Sequence, residues 1–436
     1  MKKPKAIATE STAPELVRAV GLFGLTAISL NGVIGSGIFV LPATVAATLG
    51  AASPVAYVIA AFAITLIALC FAEAGSIFER TGGPYLYARE AFGRFLGFEV
   101  GWMFLLSRLA AGAAISDAFT RYLGYFWPPL GSGAGRAIAI TMLISLLAWI
   151  NLIGVRYGTW AVNLFTIAKL LPLLLFVSVG LFFVDGSRYA FFTLPDMGGL
   201  RQSSLALIFA FGGFENASIP TEEVKNPRRN LPIALIVSIA VTTVLYILIQ
   251  VVALGTLEEL AKDKTPLASA GLAFLGAAGA AIITAGAIVS TAGSESALSL
   301  VGPRILYSMA QGRQLPALLA RVHSRYRTPH TAVIAFAFVV WAMAILSDFA
   351  MLVAMSAMAR LLFSATTCLS VPVLRRRAYA RGGFRLRGGA AIPALAAAIS
   401  VWLLTGIDKT QAIAGAAAMA AGAALYFIFR DEAHQG

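Results

Sequence analysis

The sequence predicts an all-α polytopic membrane protein of twelve transmembrane helices, and three observations predict it. Hydrophobic residues make up 59% of the 436 and charged residues only 12%, against about 25% charged in an ordinary soluble domain. That excludes a soluble enzyme. A transmembrane helix takes roughly 20 apolar residues, so twelve use about 240 and leave only short connections. The longest polar stretch, Tyr307 to His330, is too short for a separate soluble domain. The third observation is where the cations fall. With the N-terminus placed in the cytoplasm, 23 of the 33 Lys and Arg lie in inside loops and seven in outside loops, which leaves Arg108, Lys169 and Arg360 within spans. This asymmetry supports an even number of spans with both ends cytoplasmic. The net charge of +13 therefore belongs to membrane topology, not to nucleic-acid binding.

Hydropathy places the spans at about 22–49, 53–79, 92–126, 137–154, 159–184, 202–220, 231–255, 273–302, 330–347, 349–373, 389–406 and 410–430. The basic segment KKPKAIATEST precedes span 1. The apolar run after it is too long for a signal-peptide core and lacks a small-residue cleavage site, so it is expected to stay in the mature protein. Span 1 contains Gly32-Val33-Ile34-Gly35-Ser36-Gly37-Ile38-Phe39, and span 6 contains Phe209-Ala210-Phe211-Gly212-Gly213-Phe214-Glu215. Glycines at midspan unwind a helix, because Gly loses the most backbone entropy on ordering and tolerates positive φ. Irregular backbone at membrane depth survives only where it is buried in protein or lines a cavity. Such breaks, in the first and sixth positions of two five-helix halves, point to a transporter binding site. The alternative is close helix packing through small residues, but Gly35-Ser36-Gly37 is contiguous rather than spaced by four.

Charges inside the remaining spans need partners. Glu73 lies near the inner end of span 2 and reads as structural. Arg108 and Asp117 in span 3 are nine residues apart, which at 100° per residue puts them on opposite faces, so each needs another partner. Lys169 sits in TIAKLLPLLL near the middle of span 5, where a charge costs roughly 2.5–3.5 kcal/mol on insertion scales and marks a functional-site hypothesis. Glu295 lies in span 8, and Arg360 in span 10 either faces the cytoplasmic path or snorkels. Glu222 and Glu223 read as solvated, or paired with Arg228 and Arg229. Cys70 and Cys368 lie in apolar runs without disulfide or metal-ligand spacing. His323, His330 and His434 fall in loops or the tail. No phosphate-binding loop and no Ser-His-Asp arrangement occurs, so neither ATP-driven transport nor an enzyme is expected, and no cofactor or metal.

GLTAISLNGVIGSGIFVLPA in span 1, TGGPYLYAREAFG after span 2 and FAFGGFENASIPTEEVKNPRRNLPIAL across span 6 resemble the amino acid–polyamine–organocation transporters over residues 16–374. The resemblance implies the leucine-transporter type of fold: two inverted five-helix repeats with helices 1 and 6 broken, plus two peripheral helices. The divisions that follow are a cytoplasmic segment 1–20, a first repeat 21–185, a second repeat 200–374, and helices 11 and 12 at 388–430. It further implies a multi-pass protein of a bacterial-type inner membrane, with an amino acid and the lipid bilayer as its partners. Freed amides around Ser36, Gly37 and Ile38 would meet the substrate carboxylate at a positive half-helix end. Carbonyls of Val33, Phe209 and Gly212 would meet its ammonium, with Ile34, Gly35 and Gly213 completing the breaks. Phe209 and Phe211 are either aromatic gates or ordinary packing residues.

By the same resemblance, Lys169 stands in for a sodium ion between helices 1 and 8, so that no sodium is expected and a titrating lysine links protonation to opening. The other reading is a permanently charged structural lysine. Glu215 resembles an acidic residue used for proton sensing or gating, and reads equally as a carboxylate satisfied by backbone amides. Helices 3 and 8 face one another in this fold class, which suggests an Arg108–Glu295 pair lining the pocket or tying the helices. Small residues Gly212, Gly213, Ser294 and Ala297 leave room for a sizeable neutral side chain, and Glu295 is the one candidate carboxylate for a cationic substrate. The function expected is proton-coupled amino acid symport by alternating access. An exchanger of amino acids or their decarboxylated amines is the nearest rival, and a sensor or channel lies further off.

Overall fold

In the computed structural model, the described residues are 20–78, 82–153, 158–190, 193–219, 224–377 and 384–430, without the side chains of 158–166 and 430. The N-terminal segment through Arg18, Arg80, and the proposed pairing of Glu222 and Glu223 lie outside them. Among the described residues there are fourteen α-helices and no strand. They are α1 (Leu22–Val33), α2 (Gly37–Leu49), α3 (Ser53–Ile77), α4 (Gly83–Phe92), α5 (Arg94–Phe126), α6 (Gly133–Ile153) and α7 (Gly158–Gly180). Then come α8 (Met197–Ala210), α9 (Pro227–Thr256), α10 (Pro266–Gln311), α11 (His330–Leu346), α12 (Phe349–Arg376), α13 (Ala391–Leu404) and α14 (Lys409–Arg430). Seven helical stretches are long and apolar enough to cross a membrane by length and composition, and four further apolar helices are shorter.

Local chemistry sets the boundaries. Proline occupies the first turn of α3, α4, α9 and α10, where its missing N–H costs nothing. Asp196 and Asp348 cap α8 and α12 by accepting from Gly199 and Met351 amides at 2.8 Å. The helix α4 falls in a connection that hydropathy reads as loop, because a ten-residue amphipathic helix is too short and too polar to register in a span-length window.

Burial is arranged as a lipid-solvated bundle requires. Phe62, Met142, Leu171, Val244 and Phe338 face outward, while Glu73, Arg108, Lys169, Glu215, Glu295 and Arg360 are all buried. Charge is turned inward, where it finds partners, and apolar surface outward. At one end Glu73 accepts Arg375 Nε at 2.6 Å and Nη2 at 2.7 Å, and also the Leu386 amide at 2.9 Å. That fork ties α3 to α12 and to the segment before α13. Asp117, on the opposite face of α5 from Arg108, accepts Arg121 and Arg136, each at 2.8 Å, and Arg136 continues to the Ala344 carbonyl at 2.7 Å.

The centre is built on two breaks that touch. The chain unwinds between α1 and α2 at Ile34–Ser36, and after α8 it turns through Gly213 at φ 112 into a 3-10 turn, Phe214–Ser218. A Cβ on Gly32 would come within 2.5 Å of the Gly213 carbonyl oxygen, and one on Gly213 would strike the Gly32 carbonyl. A Cβ on Gly37 would lie 2.6 Å from the Ala210 Cα. The glycines therefore serve both readings of the sequence, unwinding and close packing, since the unwound segments rest backbone against backbone. Tyr246 of α9 fastens them from outside the contact: its hydroxyl reaches the Val33 carbonyl at 3.0 Å and the Ala210 carbonyl at 3.3 Å.

Two outcomes are expected. Gly213→Ala should lower the thermal unfolding midpoint of the detergent-purified protein, because the left-handed backbone alone costs about 1–3 kcal/mol for a residue with a Cβ. Gly24→Ala should leave it unchanged or slightly raised, since a Cβ there meets only Val20 Cγ1 at 3.6 Å. Separately, Glu73→Ala should destabilise by about 3–5 kcal/mol, the usual result of removing one partner of a buried ion pair, read in the same thermal assay.

Candidate functional site

The breaks border a small cavity that opens in part to solvent. Its wall includes Val33, Gly35, Ser36, Gly37, Phe209, Gly212 and Gly213 from the two broken segments, with Arg108 of α5, Ser294 of α10 and Arg360 of α12. The amides of Ser36, Gly37 and Ile38 at the head of α2 meet no acceptor among the described residues, and the buried Ser36 Oγ has no partner. Free amides at a helix start form a preformed anion cradle. On the other wall the Val33 carbonyl accepts Tyr246, and the Phe209 carbonyl accepts the Gly212 amide at 3.1 Å. The Val33 carbonyl also accepts the Gly35 amide at 2.9 Å, and the Phe209 carbonyl the Phe211 amide.

Lys169 closes the carbonyl end of α1. Its Nζ donates to the Ile34 carbonyl at 2.7 Å, the Asn31 carbonyl at 3.2 Å and Ser294 Oγ at 3.2 Å. Ser290 Oγ also reaches the Ile34 carbonyl, at 3.3 Å. The ammonium is fully buried at the negative end of a helix, where a cation is stabilised. It lies between the first break and α10.

The second break carries a charge cluster. Arg108 Nη2 and Arg360 Nη1 both bind Glu215 Oε1, while the Gly213 amide donates to Oε2 at 2.9 Å. Arg108 Nη1 also donates to Asn216 Oδ1 at 3.0 Å, and its guanidinium stands 4.8 Å from the Phe104 ring centroid. Gly212 makes room for this: a Cβ there would fall on the Arg360 guanidinium. The expected Arg108–Glu295 pair does not form. Helices α5 and α10 do pack together, but Glu295 meets α5 at Gly112, one turn beyond Arg108. Arg108 turns instead to the broken segment. Glu295 Oε1 accepts Ser299 at 3.4 Å, Oε2 has no partner among the described residues, and the residue does not line the cavity. The room expected for a neutral side chain beside Gly212 holds the Arg360 guanidinium instead.

The other sequence candidates separate clearly. Phe209 lines the cavity and meets Phe349 edge-on at 6.3 Å, and Phe349 lines a second cavity between α2, α8 and α12. Phe211 packs against Tyr246 at 5.1 Å and does not reach the cavity. The side chains of Ile34 and Ile38 are fully buried outside it. Sequence reading missed Asn216 and Tyr246, and left Arg360 unplaced. A lone arginine inside span 10 was the signal for the last; ordinary Asn and Tyr carry none. Among the described residues, no group of three His, Cys, Asp or Glu comes together to hold a metal.

Comparison with known proteins gives matches along most of the chain. Over 446 aligned residues the chain is 29% identical to a methylthioribose transporter of Bacillus subtilis, covering 98% of this chain and 97% of that one. It is 26% identical to a branched-chain amino acid permease of the same organism, covering 97% and 95%. It is 31% identical to a serine/threonine exchanger of Bacillus subtilis, covering 73% and 74%. Residues 20–429, which hold both breaks, Lys169 and the charge cluster, match the amino acid permease family throughout, and the chain belongs to that family.

Proposed function

We propose that this protein is a secondary active transporter that carries an amino acid with a proton by alternating access. In this reading twelve helices cross a bacterial-type inner membrane as two inverted five-helix repeats, 21–185 and 200–374, with helices at 388–430 peripheral and both termini cytoplasmic. The substrate carboxylate sits on the amides of Ser36, Gly37 and Ile38, and its ammonium on carbonyls of Val33, Phe209 and Gly212. Phe209, edge-on to Phe349, is the aromatic gate.

The observation that carries the proposal is the Lys169 ammonium on the carbonyls of Asn31 and Ile34 and on Ser294. It does there what a bound alkali cation would do, so neither sodium nor another cofactor is required. When the proton leaves, the cation goes with it, and carbonyl oxygens at a buried helix end lose their charged donor. A neutral amine keeps two N–H groups but not the charge, and a hydrogen bond to a charged group is worth about 1.5–3 kcal/mol against about 1 for a neutral one, enough to shift a balance between two arrangements of the break. Glu215, bound by two guanidiniums and an amide, acts in this scheme as the tie across the second break. A proton moving through 100 mV supplies about 2.3 kcal/mol, or roughly fiftyfold accumulation. The serine/threonine exchanger among the relatives favours exchange as the second reading.

Uptake into proteoliposomes separates the two. Labelled amino acids, with methylthioribose as a parallel probe, are offered with and without an inward proton gradient. Symport gives gradient-driven accumulation that Lys169→Arg loses while still binding substrate, because arginine does not release its proton. Flux that ignores the gradient and requires amino acid on the far side would establish exchange and leave Lys169 a structural cation.

A further inference from the structure

The cavity wall carries more positive charge than a zwitterion balances. Arg108 and Arg360 both line it, and the acid that binds them, Glu215, is shared by the two. The other charges nearby do not correct the difference. Lys169 adds a cation turned to α1, Glu295 is without a cation and off the cavity, and Asp117 is bound by Arg121 and Arg136. Two guanidiniums against one carboxylate leave one positive charge at the cavity. An amino acid with a neutral side chain brings an ammonium and a carboxylate, and leaves that excess in place.

The donors are unsatisfied as well. Among the described residues Arg108 Nε and Arg360 Nε are buried without partners, and Arg360 uses a single nitrogen, Nη1, in its bond to Glu215. A guanidinium offers five N–H groups in a planar fork that matches a carboxylate in two-point contact. The Arg360 fork lies against Gly212 and lines the same cavity as the two breaks. A substrate held by its backbone groups at the breaks therefore shares one cavity with both guanidiniums.

Building on the amino acid reading above, we propose that Arg108 and Arg360 recognise a second, side-chain carboxylate, so that the substrates are acidic α-amino acids and neutral ones are discriminated against. An anionic side chain brings the cavity to charge balance and takes up the idle guanidinium donors. Buried donors left unmet by a neutral analogue are what makes such discrimination steep.

The test compares isosteric pairs in the full-length protein. Proteoliposomes are loaded with unlabelled amino acid and also energised separately with a proton gradient, then given labelled glutamate, glutamine, aspartate, asparagine, leucine or methylthioribose at subsaturating concentration. The expected result is that an acidic member is carried about tenfold or more faster than its amide. In Arg360→Gln that ratio should collapse through a raised KM for the acid. Arg360→Lys, which keeps the charge without the fork, should retain part of it. Glutamine or leucine carried as well as the acids by the wild type would overturn the inference and leave amino acid transport standing. So would an unchanged ratio in Arg360→Gln. Transport of methylthioribose with no amino acid carried under either condition would overturn both, and the wild-type comparison decides even where a variant fails to fold.

Discussion

The contact between the two unwound segments is the constraint on which the rest of the centre depends. Gly32 against Gly213, and Gly37 against Ala210, bring two backbones to a distance that a Cβ would forbid. Breaking a helix in an apolar interior exposes amides on one side of the break and carbonyls on the other, and each must be met by something other than water. Carbonyls of the ends of α1 and α8 are met by Lys169 and Tyr246. The amides heading α2 are met by no acceptor among the described residues. The unsatisfied half of the break is thus concentrated on one wall of the cavity.

The buried charges follow from the same geometry. A carboxylate two residues after Gly213 can accept the Gly213 amide and still turn its other oxygen outward, and there it receives arginines from α5 and α12. Three elements far apart in sequence are thereby tied at the depth of the cavity. The Glu73–Arg375 fork and the Asp117–Arg121–Arg136 group tie helices elsewhere, but in them the acid matches or is outnumbered by arginines that are partly exposed, where water screens the surplus. Only in the Glu215 cluster is the surplus enclosed with the cavity.

Much of this was legible in the sequence, and the physical reasons divide cleanly. Helix positions and breaks are encoded locally, by runs of apolar residues and by adjacent glycines, so spans 1 and 6 divide where Ile34–Ser36 and Phe211–Gly213 lie. Lys169 was legible because a lone cation in an apolar run must meet acceptors, and the end of a broken helix supplies them. Partner choice was not. Arg108 reaches a residue 107 positions away, not the acid on the helix it packs against, because the turn at Gly213 brings Glu215 toward α5 and no periodicity describes a turn. Phe209 and Phe211 differ for a related reason: Phe209 is still in the last turn of α8, while Phe211 lies past its end and points to Tyr246.

One peptide separates the two sides of the first break. The Val33 carbonyl belongs to the cavity side and to Tyr246, whereas the Ile34 carbonyl takes Lys169 and two serines of α10. A peptide unit is rigid and planar, so the Ile34 carbonyl cannot turn without the Ile34–Gly35 plane turning with it, and the neighbouring plane carrying Val33 shares the Ile34 Cα as its hinge. In the proposed cycle, a change at the lysine therefore reaches the substrate side across a single α-carbon. In that cycle no long chain of intermediates is needed between lysine and cavity, because the Ile34 and Val33 carbonyls belong to adjacent peptide planes.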